Sequence, residues 1–328
     1  DRRGKPLVYL YGGAKLRSDT IGLEAIGQRN PLIQYKKMGF DMFSLLMTQI
    51  KSQIASDAIR VSNIQKTNDR VYKEQKSNFE DTKKNMVFIP EGSFTMGFKI
   101  DNDFEWGDMD EEPVHSVILS AYWIDKYEVT SASFSTFLNQ NKNQAHRFIE
   151  ITPTVTIEHK NNFYQPRKGL ENYPVNRVSW FGANAYCQWI GKRLPTEAEC
   201  EKAARGNDQR IFPWGNKFPD NSWVTFRRKF SEKEFKVMEP VDGMTKGVSP
   251  YGVHHMAGNV WEWVSDWFDA SAYRDENRID PKGPDSGTSK VLRGGNWYYK
   301  AYYMRTTYRF NEKPQTFKIW QGFRCALS

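Results

Sequence analysis

Cysteine is scarce in this chain, and the placement of the few cysteines excludes the common zinc sites. Among 328 residues there are three, Cys187, Cys200 and Cys325. None of them belongs to a Cys-x-x-Cys pair, the usual signature of a structural zinc site. The count favours one bridge and one free thiol, but the sequence alone leaves all three pairings open.

Long hydrophobic runs are also missing. No stretch of about 18 consecutive apolar residues is present, so no segment is predicted to span a membrane. Residues 1–20 are interrupted by Arg and Gly and do not resemble a secretory signal, and whether a signal or a lipid anchor preceded residue 1 stays open. Hydrophobic residues make up 39%, charged residues 26% and aromatic residues 15%, a composition that excludes collagen-like and disordered classes.

The N-terminal part of the chain has fewer acidic than basic residues, whereas the two kinds are nearly balanced in the rest of the chain. Residues 1–86 hold 16 Lys and Arg against 9 Asp and Glu, whereas residues 87–328 hold 31 against 30. The net charge of +8 therefore belongs almost entirely to the N-terminal segment. Its basic residues are spread among acids without an aromatic platform, so we expect a solvated helix face and no nucleic-acid partner.

Residues 1–40 contain glycines and prolines and are predicted to be irregular, whereas residues 41–84 contain neither. Within this second stretch, apolar residues recur at intervals of three, four and seven, and this apolar stripe consists of Phe43, Met47, Ile50, Ile54, Val61, Ile64 and Val71. The pattern predicts one long amphipathic helix over 41–86. An isolated helix of this kind needs a partner surface, which is either its own domain or another subunit.

From residue 87 the sequence pattern changes from one long helical stretch to many short strand patterns, which are separated by Gly, Pro and Asn. Three helices are predicted among them, beginning near Thr130, at Trp180 and after Pro195. Thr196 and Glu199 match the Thr-x-x-Glu capping box that opens the third helix. The sequence therefore predicts an α+β domain over 87–328, with much irregular loop and no internal repeat.

A series of sequence segments in this domain points to a family. They are Phe88–Gly97, Asp110–His115, Tyr122–Asp125, Glu128–Thr130, Tyr173–Val175, Val178–Trp180, Ala185–Cys187, Lys192–Glu199, Phe212–Asn216, Gly258–Trp263, Arg293–Trp297 and Gly322–Cys325. In this order they resemble the formylglycine-generating enzyme, or sulfatase-modifying factor, family. The resemblance implies an irregular C-type-lectin-like fold for 87–328, preceded by an N-terminal helical extension that it does not cover.

Most of these motifs have a structural interpretation. We expect buried indole rings with paired N–H groups at Trp214, Trp261, Trp263 and Trp297. Arginines stand in apolar surroundings and are expected to bond loop carbonyls and buried acids such as Glu199 and Glu262; they are Arg193, Arg293, Arg305, Arg309 and Arg324.

The resemblance also bears on catalysis. Aerobic family members oxidise a substrate cysteine with two copper-binding cysteines, five residues apart, between the Arg-Gly-Gly turn and the final Gly-Phe-Arg. Arg309 and Pro314 keep the family spacing, which places the two positions at Ala301 and Thr306. Neither side chain is a soft copper ligand, so we expect no oxidase activity.

A second catalytic branch of the family uses three histidines on an N-terminal helical bundle to bind iron. The five histidines of this chain all lie beyond residue 86; they are His115, His146, His159, His254 and His255. No Walker, Rossmann or Gly-x-Ser-x-Gly pattern is present either. The sequence thus predicts a protein that is not an enzyme.

Two structural sites follow from the resemblance. Cys187 and Cys325 occupy positions that pair as a disulfide in some family members, which leaves Cys200 as a buried free thiol. A family calcium site falls on His255, Gly258, Val260 and Glu262, and Asn221 is a weaker candidate for another. Calcium is the one cofactor that the resemblance offers, although imidazole is a poor ligand for this hard cation.

Two functions are compared. The leading hypothesis is a non-catalytic structural subunit of an extracytoplasmic bacterial assembly, in the periplasm or at the outer membrane, similar in type to lipoproteins of gliding motility and type IX secretion. Its partners would be other protein subunits, with membrane contact only through a lipid anchor or a partner. The alternative is a C-type-lectin-like module that binds a glycan or protein through Tyr298, Tyr299, Tyr302, Tyr303 and Trp320. An enzyme with unrecognised chemistry is the least favoured hypothesis.

Overall fold

Two units make up the chain, residues 1–77 and residues 78–328. The computed structural model describes residues 36, 39–62, 83–98, 107–230, 237–274 and 278–328. In the first unit, helix α1 covers 39–62, and every described residue of it is exposed. Five members of the apolar stripe lie on α1, whereas Ile64 and Val71 lie outside the described residues. No helix within the described ranges is both long enough and apolar enough to cross a membrane.

In the part of the second unit that the structure describes, four further α-helices are present. They are α2 (Ser131–Gln140), α3 (Ala145–Phe148), α4 (Trp180–Trp189) and α5 (Glu197–Arg205). The hydroxyls of Thr130 and Ser179 cap α2 and α4, and α5 has the predicted capping box of Thr196 and Glu199. These side chains bond amide groups that have no partner inside a helix, which is why the helices begin where the sequence predicts.

The strands of the second unit are short. In the described residues they are β1 (Met86–Ile89), β2 (Gly92–Met96), β3 (His115–Leu119), β4 (Tyr122–Asp125), β5 (Ile157–Lys160), β6 (Phe163–Pro166), β7 (Trp261–Trp267), β8 (Lys290–Arg293), β9 (Phe310–Glu312), β10 (Gln321–Gly322) and β11 (Ala326–Leu327). One sheet has the order β10-β7-β8-β9, with β10 parallel to β7 and the other pairs antiparallel. A second sheet has the order β1-β4-β11, and β2-β3 and β5-β6 form two hairpins.

The core lies between the longer sheet and the helices. Trp261 and Trp263 of β7 are fully buried and belong to the same cluster as the phenylalanines of α2 and Phe323. A second cluster packs β1 to β4 against α5. This mixed arrangement of helices and short strands is the α+β, C-type-lectin-like fold that the sequence indicated.

A disulfide joins the end of the chain to a central helix. It links Cys187 of α4 to Cys325, which precedes β11, with 5.6 Å between the two Cα atoms. The pairing is the one that the resemblance implied. Cys200 of α5 is a buried free thiol, also as expected.

Candidate functional site

Buried ion pairs connect helix α5 with the C-terminal part of the domain. Arg293 of β8 donates to Glu197 (2.8 Å) and to Glu201 (2.6 Å), and Arg309 donates to both oxygens of Glu197 (2.8 and 2.9 Å). Burial alone would raise the pKa of Glu197, but the two guanidinium groups outweigh it and hold the pKa below its ordinary value. The carboxylate of Glu197 therefore stays ionised inside the domain.

Three further arginines complete this framework. Arg305 donates two hydrogen bonds of 2.6 Å to the carboxylate of Glu111, and Arg324 donates two of 2.6 Å to that of Glu262. Arg193 pairs with Glu199 at 2.6 and 2.7 Å. The predicted scaffold role of the five arginines, and the predicted acids Glu199 and Glu262, are confirmed. The acids at 111, 197 and 201 were not identified from the sequence, because only the fold brings them beside their arginines.

The side chains of Ala301 and Thr306 are both buried and make structural contacts. Ala301 begins a short 3-10 helix, Ala301–Met304, and belongs to a buried cluster with Phe212 and Met304. The Thr306 hydroxyl donates to Arg210 O at 2.9 Å. A methyl group and an engaged hydroxyl do not fit copper, which needs soft ligands. Burial also raises the pKa of the Cys200 thiol to about 12, so no thiolate is available there.

Two of the four predicted calcium ligands have side chains that are engaged with other groups. Both carboxylate oxygens of Glu262 accept from Arg324, and His255 Nε2 lies 3.1 Å from Pro240 O. Burial lowers the pKa of His255 to about 3, so the ring is neutral. Hard cations need free oxygen donors, and these two side chains offer none in this structure. The calcium site stays a prediction.

A groove opens beside the C-terminal aromatic residues. This aromatic groove has a volume of about 390 Å³ and is lined by Thr152, Pro153, Thr154, Arg177, Phe230, Trp297, Tyr298, Ile319 and Trp320. Tyr298 is 52% exposed, and its ring lies parallel to that of Trp320 with centroids 6.2 Å apart. Such a pair offers flat apolar faces to a ligand.

Unpaired donors lie beneath these rings. The indole N–H groups of Trp297 and Trp320 are buried and make no hydrogen bond to the described residues, and neither does Asn296 Nδ2. The expected pairing of indole N–H groups is confirmed for Trp214 and Trp263. For Trp261 and Trp297 no described residue accepts from the indole N–H, and their rings pack on other aromatic rings instead. A buried donor without a partner costs about 1–3 kcal/mol.

The five aromatic residues predicted to form a ligand surface divide into two groups. Tyr298 and Trp320 line the aromatic groove. Tyr299 and Tyr303 pack on each other with ring centroids 4.6 Å apart, and Tyr302 lies against the Arg305 guanidinium at 4.6 Å. Most of the remaining groove residues, at 152–154, 177 and 230, come from distant parts of the chain, so sequence reasoning missed them.

Comparison with known proteins agrees with this fold. Residues 71–328 match the model of the sulfatase-modifying factor enzyme 1-like domain. The chain belongs to this family. Residues 10–62 match a different model, the SecA Wing and Scaffold domain.

Relatives named as formylglycine-generating enzymes and a relative named as inactive both resemble the chain. The formylglycine-generating enzyme of Mus musculus is 34% identical over 285 residues, covering 74% of each protein. The inactive Cα-formylglycine-generating enzyme 2 of Bos taurus is 31% identical over 282 residues, covering 74% of this chain and 87% of the relative. Among solved structures, PvdO from Pseudomonas aeruginosa matches with a TM-score of 0.59 and 26% identity, covering 74% of this chain and 94% of PvdO.

Proposed function

We propose that this family member is non-catalytic and serves as a structural and interaction subunit of an extracytoplasmic bacterial protein assembly. One observation carries the non-catalytic part of the proposal. No cysteine stands between Cys200 and Cys325, and the family spacing that Arg309 and Pro314 keep would put the cysteine pair at Ala301 and Thr306. The inactive bovine relative supports it, because the fold persists there under a name that denotes loss of activity.

The test is direct. The purified chain is incubated with copper and a cysteine-containing sulfatase peptide, and the peptide is analysed by mass spectrometry for formylglycine. The mouse enzyme serves as the positive control. We expect no conversion, and conversion above the level of copper alone would refute the non-catalytic assignment.

The interaction part of the proposal depends on helix α1. Phe43, Met47, Ile50, Ile54 and Val61 are all exposed on it, together with other large apolar side chains of the same helix. Soluble proteins rarely leave so much contiguous apolar surface uncovered unless it meets another protein. We infer that the apolar stripe packs against another subunit.

Charged residues placed on the stripe test this inference. The full chain is recovered gently from the cells that express it, and the particle mass is measured by light scattering. We expect a particle well above the 38.3 kDa of one chain, lost in the double variant Ile50→Glu, Ile54→Glu. The matched control is Ser52→Glu, Ser56→Glu, which has the same spacing on the opposite face. A 38.3 kDa monomer, or equal effects of both double variants, would contradict the inference.

The disulfide supports the proposed compartment. A bridge between Cys187 and Cys325 persists in oxidising surroundings such as the periplasm and the cell surface. Fractionation followed by labelling of free thiols checks this. Recovery of the chain in the cytoplasm with all three thiols free would overturn the extracytoplasmic assignment.

A second candidate function, binding of a glycan or protein ligand, is favoured by the aromatic groove. The exposed ring of Tyr298, parallel to that of Trp320, suits a ligand with flat apolar faces. A glycan and peptide screen by tryptophan fluorescence tests it with Tyr298→Ala. The matched control is Phe163→Ala, because Phe163 is also 52% exposed but lies outside the groove. No binding, or equal loss in both variants, would exclude the groove.

A further inference from the structure

Two buried carboxylates among the described residues, those of Glu128 and Asp266, lack the arginine partner that the other buried glutamates have. Glu111, Glu197, Glu201 and Glu262 are each paired with an arginine. Asp266 near the end of β7 is only 4% exposed, yet it forms no ion pair with any described residue. Burying a carboxylate without a cation is costly, so its surroundings need an explanation.

The two oxygens of Asp266 have different environments. Oδ2 accepts from the backbone N–H of Glu197 at 2.9 Å and from the Ser265 hydroxyl at 2.8 Å. Oδ1 accepts no hydrogen bond from the described part of the chain and lies beside Gly283, where an added Cβ would come within 3.1 Å of it. The φ of +69° at Gly283 also favours glycine, so the loop passes directly over the carboxylate.

Asp266 lines a cavity of about 450 Å³, here called the Asp266 pocket. The lining includes the apolar side chains Met96, Ala198, Ala272, Pro281 and Pro284. Its lining also includes the exposed basic residues Arg274 and Lys282, the half-buried Arg278, which donates to Tyr273 O, and the exposed acidic residue Asp269. The buried part of the pocket is therefore acidic, its lining includes apolar side chains, and basic residues outnumber acidic ones among its more exposed residues.

A second hydrogen-bond acceptor lines the same pocket. The Nδ1 atom of His115 lies 2.8 Å from Pro113 O, so this nitrogen carries the proton and Nε2 keeps its lone pair. Burial lowers the pKa of His115, which keeps the ring neutral. His115 is therefore a further acceptor in the lining of the pocket, in addition to Asp266.

The other charged groups around Asp266 are engaged elsewhere. Glu197 is bound by Arg293 and Arg309, and Glu199 by Arg193. Lys290 donates to Ser265 O at 2.6 Å and lies over the rings of Trp180 and Trp267, and Asp269 accepts from Ser271. Burial, with the nearby charge of Glu197, raises the pKa of Asp266 to about 7.

We propose that the Asp266 pocket binds a small zwitterion of the apolar α-amino-acid type. Its ammonium group donates to Asp266 Oδ1 and His115 Nε2, its side chain lies along the apolar wall, and its carboxylate meets Arg274, Arg278 and Lys282. The ammonium group supplies the positive charge for an ion pair that no described residue makes with Asp266. The volume of the pocket is in the range of known small-molecule sites.

Three matched probes separate the parts of the ligand: L-leucine, isoamylamine, which lacks the carboxylate, and 4-methylpentanoate, which lacks the ammonium. Binding to the full chain is measured by calorimetry and ligand-observed NMR. We expect millimolar or tighter binding of leucine, weaker binding of isoamylamine and none of 4-methylpentanoate. Leucine affinity should rise between about pH 6 and pH 8 as Asp266 loses its proton.

Variants complete the test. Asp266→Asn should lower leucine affinity about tenfold or more and abolish the pH dependence, whereas Asp285→Asn, outside the pocket, should change neither. The exposed-rim variant Lys282→Ala should weaken leucine binding but leave isoamylamine binding unchanged, which keeps the test valid if Asp266→Asn fails to fold. Absence of leucine binding, binding of 4-methylpentanoate, or full affinity in Asp266→Asn would overturn the proposal.

Discussion

Removing the charge of Glu197 is the sharpest test of how this domain is held together. The carboxylate accepts three hydrogen bonds from Arg293 and Arg309, and all three side chains are almost fully buried. The substitution Glu197→Gln keeps the shape and removes the charge. Arg293 would retain Glu201, but Arg309 would retain only the carbonyls of Asp110 and Asp269.

The expected loss follows from that uncompensated guanidinium. Breaking a buried ion pair by removing one partner costs about 3–5 kcal/mol, because the remaining charge cannot regain its hydration. A surface pair gives the matched control. Arg177 and Glu150 are joined where the Glu150 side chain is 47% exposed, so Glu150→Gln should cost less than about 1 kcal/mol.

Urea unfolding monitored by tryptophan fluorescence measures both variants. We expect the midpoint of Glu197→Gln to fall by roughly 1 M or more, and that of Glu150→Gln to stay nearly unchanged. The pKa of Glu197 is held below its ordinary value, so its stabilisation is present above about pH 4.5 and is lost as the pH falls through the folded-state pKa. The difference between wild type and Glu197→Gln should therefore shrink in acid. A loss no larger than that of Glu150→Gln at neutral pH would refute the reasoning.

Three further predictions follow from the cysteines and from Asp266. Replacing Cys187 and Cys325 together by serine should lower the free energy of unfolding by about 5 kcal/mol on the chain-entropy model, since the bridge spans 138 residues; calorimetry checks this, and an unchanged melting temperature would contradict it. Cys200, whose burial raises the thiol pKa to about 12, should react with a thiol reagent only after unfolding, and rapid labelling of the native protein would show otherwise. Because the pKa of Asp266 is raised to about 7, the wild-type protein should lose stability as the pH rises from about 4 to about 7. Asp266→Asn should lack this loss, so its free energy of unfolding relative to wild type should grow by roughly 4 kcal/mol over that range. Urea titrations measure this difference, and a difference that does not change with pH would contradict the prediction.

Local signals in the sequence predicted the secondary structure that depends on local chemistry. The helix starts at Thr130 and Thr196 follow from side chains that bond nearby amides, and this needs no knowledge of the fold. The sequence also predicted that the motif arginines bond buried acids such as Glu262, because an arginine among apolar residues needs a partner, but only the structure shows that this partner is Arg324.

The packing of single aromatic rings was less predictable. The pairing of the indole N–H groups was expected for all four motif tryptophans, but it fails at Trp261, whose ring stacks on Phe310. The position of a ring in the core is decided by shape, and a hydrogen-bond partner for its N–H depends on which loop passes nearby. The five residues of the predicted ligand surface divide into groove and core for the same reason.

The sequence by itself determined the family, the α+β class and the helix starts, because these depend on residue identity and short spacings. Only the tertiary structure decided which distant residues share a site. The aromatic groove joins Arg177 to Tyr298, and the Asp266 pocket joins His115 to Asp266, across large separations along the chain. Short-range patterns contain no information on such contacts, since they depend on how the loops cross the sheet that positions them.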